Sequence, residues 1–291
     1  MSLLLVSLPG NGALAERLAA LTGGMYQQMA VHTFPDGEHL PRFAEPVAGH
    51  DVVLVCTLPQ PDAKILPLLF AAEAARDMGA RRVGLVAPYL CYMRQDKAFH
   101  PGEAVTSRSF AALLSRHFDW LVTVDPHLHR TRSLDEIYTI PAQALHAGPV
   151  LAAWIKDNIT APFLIGPDAE SRQWVADVAA SCGAPFAVLE KQRLGDRHVV
   201  TVPGPLALPP EATPVMLDDI LSSGGTMVEA LDVVSGLTTK TAVVIAIHAV
   251  LEDGIRAVQA QGARLVTTNS IGAGAIDLAP LLAAAINSMA R

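Results

Sequence analysis

Short, continuously apolar runs alternate with longer amphipathic stretches along most of the chain, and this alternation constrains the fold more than any other feature. The apolar runs lie at 52–56, 83–88, 121–125, 163–166, 186–190, 215–219, 242–249 and 265–268. Runs this short, without an alternating polar face, suit strands buried on both sides, as in a parallel sheet. The stretches 63–78, 107–116, 171–182 and 226–234 carry helical spacing. Strands alternating with helices predict an α/β fold in which helices flank a parallel sheet. The alternation runs once to about Asp125 and starts again near Phe163, across a polar stretch at 126–149 that holds Pro and His. We place a domain boundary near residue 146, giving domains 1–146 and 147–291. The Pro-rich segment 202–214 reads as a surface loop. No repeat is visible by letter, although the two halves could share one architecture.

Composition removes several function classes. The chain has 291 residues, 51% hydrophobic and 17% charged, which suits roughly two domains with buried cores. The opening MSLLLVSLPG has no basic region ahead of its apolar run, unlike a secretory signal. The longest apolar stretch, 242–251, is interrupted by His248 and is too short to span a bilayer. A cytoplasmic protein with no membrane partner is the expectation. The net charge of -7 argues against a nucleic-acid partner, whose phosphates need a basic surface. Cys56, Cys91 and Cys182 form no CxxC pair and are odd in number, so neither a disulfide nor a zinc site is expected.

In open α/β sheets, ligands bind beyond the carboxyl ends of the strands. The predicted strands end near Asp125, Asp168 and the pair Asp218 and Asp219. Acids there suit sugar hydroxyls and a hydrated magnesium ion, although any one of them alone serves equally well as a helix cap. The sharpest segment is 215–226, VMLDDILSSGGT. An apolar strand runs into two acids, then Ser222, Ser223, Gly224, Gly225 and Thr226 lead into a helix. Small residues let backbone N–H groups point into one cavity, and a helix N-terminus favours an anion. Asp218 and Asp219 are placed to hold ribose hydroxyls. This pattern resembles the ribose 5-phosphate signature of the type I phosphoribosyltransferase fold. It leaves two classes open: enzymes that consume 5-phosphoribosyl 1-diphosphate, and the diphosphokinase that makes it.

The rest of the chain resembles the ribose-phosphate diphosphokinase family, segment by segment and in order. Phe34-Pro35-Asp36-Gly37-Glu38 is similar to that family's adenine-binding loop. Arg94-Gln95-Asp96 matches its RQD motif and implies ATP contacts, and the polar loop 97–106 reads as a mobile lid. Thr123-Val124-Asp125-Pro126-His127 matches the segment with a metal-ligating histidine, and His129 follows two residues on. Gly166-Pro167-Asp168 matches the segment whose aspartate binds metal and ribose. Glu190-Lys191-Gln192-Arg193 matches the lysine and arginine at the reacting phosphates. Alone, a DGE is usually a surface turn, and an RQD, a histidine pair or two strand-end cations are commonplace. Their shared order carries the resemblance.

The resemblance implies two similar domains of type I phosphoribosyltransferase-like fold. It implies transfer of diphosphate from ATP to the C1 hydroxyl of ribose 5-phosphate, with Lys191 and Arg193 catalytic. Phe34, Asp36, Glu38, Arg94, Gln95 and Asp96 would bind ATP. Asp168, Asp218, Asp219 and residues 222–226 would bind ribose 5-phosphate, and His127 with Asp168 would hold Mg²⁺. In the family the adenine loop reaches a neighbouring subunit's site, so at least a homodimer is implied. The wording Arg94-Gln95-Asp96-Lys97, Gly102-Glu103 and Thr106-Ser107-Arg108 is closest to archaeal-type members. The chain departs from the common pattern at Ala169, Glu170, Ser171 and Arg172, at Ser222 and Ser223, and at His39 and Pro41. Glu170 adds negative charge beside a predicted phosphate site. An inactive regulatory paralogue and a phosphoribosyltransferase therefore remain alternative readings.

Overall fold

The structure, a computed structural model, describes residues 2–128, 130–194, 197–201 and 208–290, without the side chains of 191–201. Two units make up the chain. Unit 1 is Met1–His146 with Ser270–Gly272 and Leu278–Arg291; unit 2 is Ala147–Asn269 with Ala273–Asp277.

Unit 1 runs β1 (Leu3–Ser7), α1 (Gly12–Thr22), β2 (Met25–Gln28), β3 (Ala30–Thr33), β4 (His39–Arg42), β5 (Asp51–Val55), α2 (Asp62–Asp77), β6 (Arg82–Ala87), α3 (Thr106–His117), β7 (Trp120–Val124) and β8 (Ala142–Leu145). Six strands form one sheet in the order β2-β1-β5-β6-β7-β8, and every pairing is parallel. β5 and β7 are buried along their whole length, which explains why they are apolar apart from Asp51 and Thr123. Gly84 of β6 faces Trp120 of β7 in register, and a Cβ at Gly84 would lie 2.1 Å from the indole. The sheet accommodates a fully buried Trp because its neighbour has no side chain. β3 and β4 form a separate antiparallel hairpin.

Unit 2 runs α4 (Gly148–Asn158), β9 (Pro162–Gly166), α5 (Arg172–Cys182), β10 (Phe186–Val188), β11 (Glu190–Leu194), β12 (Arg197–Thr201), β13 (Thr213–Leu221), α6 (Gly225–Ser235), β14 (Val243–Ala249), α7 (Glu252–Ala260) and β15 (Arg264–Thr267). Its sheet order is β10-β9-β13-β14-β15, again wholly parallel. β11 and β12 form a second separate antiparallel hairpin. The last helix, α8 (Ala279–Met289), packs on α1 and β7 of unit 1, and Arg82 donates to the Met289 carbonyl at 2.9 Å.

Several features differ from the sequence expectation, which named none of β1 to β4. The stretch 126–149 contains β8, which extends the first sheet by parallel pairing with β7. The run 186–190 is two elements, because β10 stops at Val188 and Glu190 begins the second hairpin. The second domain was expected to run to residue 291, whereas α8 joins unit 1. Of the loop expected at 202–214, residues 202–207 lie outside the described residues and the segment from Thr213 belongs to β13.

Candidate active site

In unit 2, β9 lies beside β13, so the acids at their carboxyl ends are neighbours. Asp168 follows β9 and caps a 3₁₀ turn at Ala169–Ser171. Its Oδ1 accepts from the N–H groups of Glu170 at 3.1 Å and Ser171 at 3.2 Å. The Ser171 hydroxyl donates back to the Asp168 carbonyl at 2.6 Å. This compact turn needs Gly166, where a Cβ would lie 2.3 Å from Ser171 Oγ. Glu170 is exposed on the turn, so its charge is solvated.

Asp218 lies within β13 with Asp219 next to it, and the Asp219 N–H donates to Asp218 Oδ1 at 3.0 Å. Burial pushes the Asp218 carboxyl well above the ordinary carboxylate range, and the charges of Asp219 and Asp168 push it further. β13 then delivers Ser222, Ser223 and Gly224 to the start of α6. Gly224 caps this helix in the left-handed region, at φ 83°, which only glycine adopts without strain. The first-turn N–H groups of α6 have no carbonyl behind them in the helix, so they are oriented for an anion. Ser223 and Gly225 are exposed, and Ser222 and Thr226 are half-buried.

β11 carries Lys191 and Arg193 in its backbone register, opposite Val200 and His198; their side chains lie outside the described residues. The strand starts at Glu190, which meets Arg172 of α5 at 3.3 Å.

Unit 1 carries the other predicted residues. Phe34, Asp36 and Glu38 sit on the turn of the β3–β4 hairpin, all exposed. The Phe34 N–H donates to the Glu38 carbonyl and the Gly37 N–H to the Phe34 carbonyl, at 2.8 and 2.9 Å. Phe34 remains 39% exposed although His32 meets its ring edge-on. A tip that presents an aromatic face and two carboxylates to solvent can take a planar, amine-bearing ring.

Arg94 is exposed and Gln95 half-buried beyond β6. Asp96 is differently placed. Its carboxylate accepts from Arg130 Nη1 at 2.9 Å and from the Arg130 backbone N–H at 3.3 Å. Burial raises this carboxyl, and the hydrogen bonds and charge of Arg130 outweigh burial and hold it below the ordinary range. Asp96 therefore ties two loops of unit 1 together. In the loop after it, Glu103 accepts from the N–H groups of Phe99 and His100 at 2.7 and 3.0 Å, and Lys97 and Arg130 lie over the Phe99 ring. His127 is half-buried just past β7, with Asp125 and His127 both in the left-handed region at φ 36° and 55°. Non-glycine residues pay strain there, which marks this strand end as unusual. His129 lies outside the described residues.

Among the described residues, no group of three or more His, Cys, Asp and Glu side chains is arranged to hold a metal ion. Asp168, Asp218 and Asp219 are nonetheless an all-oxygen, mutually repelling set. Such a set fits a cation that keeps most of its own waters, as Mg²⁺ does.

The sequence reading did not pick out Arg130 or Gly254, and it named Arg172 only as a departure from the family pattern. Arg130 sits in a polar segment without periodicity, and Arg172 opens a stretch of helical spacing in which a lone cation looks like a solvated first turn. Gly254 was not visible, since the sequence reading named no helix around it.

A parallel sheet whose third-in-sequence strand ends in paired acids and a Ser-Gly loop at a helix start defines a protein of the phosphoribosyltransferase type. Residues 133–268 match the family model of the phosphoribosyl transferase domain, and residues 3–117 match that of the N-terminal domain of ribose phosphate pyrophosphokinase. The chain is 35% identical over 219 residues to the ribose-phosphate pyrophosphokinase of Methanopyrus kandleri, covering 75% of this chain and 74% of the relative. It is 31% identical over 278 residues to that of Methanothermobacter thermautotrophicus, covering 92% and 96%. The crystal structure of phosphoribosylpyrophosphate synthetase from Mycobacterium smegmatis superimposes with a TM-score of 0.85 at 25% identity, covering 99% of this chain and 98% of that one. The chain belongs to the ribose-phosphate pyrophosphokinase family.

Proposed function

We propose that the protein transfers diphosphate from ATP to the C1 hydroxyl of ribose 5-phosphate, giving 5-phosphoribosyl 1-diphosphate and AMP. The observation that carries this reading is the β13–α6 corner, where coupled acids stand beside a hydroxyl-lined helix N-terminus. Its chemistry matches a sugar diol at one end and a phosphate at the other. Family membership supports the donor half, through the segments carrying Phe34, Asp36, Glu38, Arg94, Gln95 and Asp96.

In the reaction the C1 oxygen bonds to the β-phosphorus of ATP. The bond from that phosphorus to the α,β-bridging oxygen breaks, AMP leaves with the electron pair, and the C1 hydroxyl proton is released to solvent. Such transfer depends on positioning and charge stabilisation. Ser222, Ser223, Thr226 and the amides of 224 and 225 hold the 5-phosphate. Asp218 and Asp219 orient the ribose hydroxyls. Lys191, Arg193 and Arg94 neutralise charge on the bridging and leaving oxygens. The Asp96–Arg130 pair gives Asp96 a second role, fixing the loop on which Arg94 stands. Mg²⁺ would supply neutralisation of phosphate charge, and Asp168 and His127 are the residues that would hold it. The enzyme acts as a cytoplasmic homodimer or larger homo-oligomer, with no nucleic-acid or membrane partner. No helix among the described residues is long and apolar enough to cross a membrane.

The test is incubation with ATP, Mg²⁺ and ribose 5-phosphate, with AMP and the diphosphorylated sugar followed by mass-resolved chromatography. Both products, dependent on the sugar and on Mg²⁺, are expected. ADP in place of AMP would mean γ-phosphoryl transfer and would overturn the chemistry. Nucleotide binding without product would favour the regulatory paralogue, with the departures around Glu170 as the first suspects.

A further inference from the structure

Gly254 occupies the first turn of α7, where alanine would be the better helix former. It is buried, and its N–H donates to the Leu251 carbonyl at 3.1 Å. A Cβ built on it would lie 2.0 Å from the Ser222 carbonyl oxygen, 3.0 Å from the Ser222 carbonyl carbon and 3.2 Å from the Gly224 nitrogen. All three are backbone atoms of the loop that enters α6, so no flexible side chain could swing aside. The contact is reciprocal. A Cβ on Gly224 would lie 3.2 Å from Gly254 Cα and 3.4 Å from the Ala257 methyl, one turn further along α7. Two glycines on separate helices thus let the backbone of α7 lie directly on the loop. The Val250 N–H, just before α7, donates to the Leu221 carbonyl at 2.8 Å and pins the same junction from the strand side.

We infer that Gly254 is a positioning residue for ribose 5-phosphate: it touches no ligand and sets the backbone path of Ser222 to Gly225, whose donors meet the 5-phosphate. The inference rests on the assignment of that loop in the proposed function. A phosphate cradle of backbone amides has no side chain to re-aim, so its geometry depends on what its back packs against. In this chain the back of the cradle is α7. Glycine fits there despite its poor helix propensity because any side chain would push the loop away from its left-handed turn at Gly224.

Steady-state kinetics of Gly254→Ala against wild type test this, with the apparent KM for each substrate measured separately. The KM for ribose 5-phosphate is expected to rise about tenfold or more, while the KM for ATP changes less than about twofold. Calorimetric titration with ribose 5-phosphate alone should show the same loss. A general weakening of α7 would not separate the two substrates, and Arg256→Gly, on the exposed face of α7, serves as the control that disturbs the helix without facing the loop. Should Gly254→Ala fail to fold, Ala257→Val presses on Gly224 from the same side, with an expected rise of about threefold. An unchanged ribose 5-phosphate KM in a folded Gly254→Ala, or in Ala257→Val if that is the only folded variant, overturns the positioning role while leaving the loop assignment intact. A wild-type protein that neither binds nor turns over ribose 5-phosphate overturns the assignment itself, and this inference with it.

Discussion

Units 1 and 2 are built on one plan and carry different chemistry. In each, the second strand in sequence lies at the sheet edge, and the first, third, fourth and fifth sheet strands follow in order. In each, an antiparallel hairpin interrupts the chain between the second and third sheet strands: β3–β4 in unit 1 and β11–β12 in unit 2. Even the helix before the edge strand stops in the same way. Gly23 after α1 and Gly183 after α5 are both left-handed, and their N–H groups return to Ala19 and Ala179. The difference lies at the end of the third sheet strand. In unit 2 it runs through Asp218 and Asp219 into Ser222, Ser223, Gly224 and Gly225. In unit 1 it runs through Cys56, Thr57 and Leu58, all buried, into Pro59, Gln60 and Pro61. Two prolines remove two backbone donors, and burial pushes the Cys56 thiol up to about 12, so it stays uncharged. One loop presents glycine amides and hydroxyls suited to an anion, and its counterpart offers fewer backbone donors. The fold is shared, and function lies in the residues at the strand ends.

The hairpins sharpen that comparison, because each is assigned a different part of the reaction. Lys191→Ala on the unit 2 hairpin is expected to lower turnover by at least ~100-fold, with ribose 5-phosphate affinity largely kept, since donors aimed at developing charge act in the transition state. Near-normal turnover would remove Lys191 from the mechanism and erase the contrast between the hairpins. Asp218→Asn comes next. Loss of a charged hydrogen bond to a sugar hydroxyl should raise the ribose 5-phosphate KM by ~10- to 100-fold. The same change should raise the melting temperature of the ligand-free protein at neutral pH. A carboxyl pushed up on folding binds more protons folded than unfolded, so it lowers stability as pH rises through its folded value, and the cost persists above it. The variant's advantage should therefore appear as pH rises above the ordinary carboxylate range. An Asp218→Asn protein less stable than wild type at neutral pH would mean that the acid is held by partners rather than strained for function.

The sequence revealed the inner strands β5, β6, β7, β9, β13 and β14 because burial on both faces keeps most of their residues apolar, but it missed β1, which is also an inner strand. It was silent on β3–β4, whose residues 32–38 are all exposed and so carry no periodic signal. Placement of α8 with unit 1 is a tertiary choice that no local pattern encodes. At the site, the acid pair and the Ser-Gly loop were legible because their spacing is itself the chemistry. Gly254 was not, because its reason lies in atoms of Ser222 and Gly224, thirty or so positions earlier in the chain. Asp96 was legible as part of a motif, whereas its bond to Arg130 depends on the turn after β7.

Two smaller effects probe unit 1. Phe34→Ala should raise the ATP KM about tenfold, because stacking of a base on an aromatic ring contributes roughly 1–3 kcal/mol. Its melting temperature should not move, since the ring is exposed on a turn held by backbone hydrogen bonds. An unchanged ATP KM would leave the hairpin of unit 1 without a role in the donor half of the reaction.

The smallest expected effect is that of Arg130→Ala. Removing the guanidinium leaves the largely buried Asp96 carboxylate without its partner and frees Phe99 from one of its two cations. The loop 97–106 should loosen, so limited trypsin cleavage after Lys97 should speed up, and the ATP KM should rise by about threefold through a less fixed Arg94. The pair also predicts a pH signature. A carboxyl held low on folding contributes stability that is present above its unfolded value and lost as pH falls through its folded value. Wild type and Arg130→Ala should therefore differ in melting temperature above the ordinary carboxylate range and converge in acid below it. A gap that persists unchanged into acid would show that Arg130 acts by packing on Phe99, and that Asp96 is free for the nucleotide.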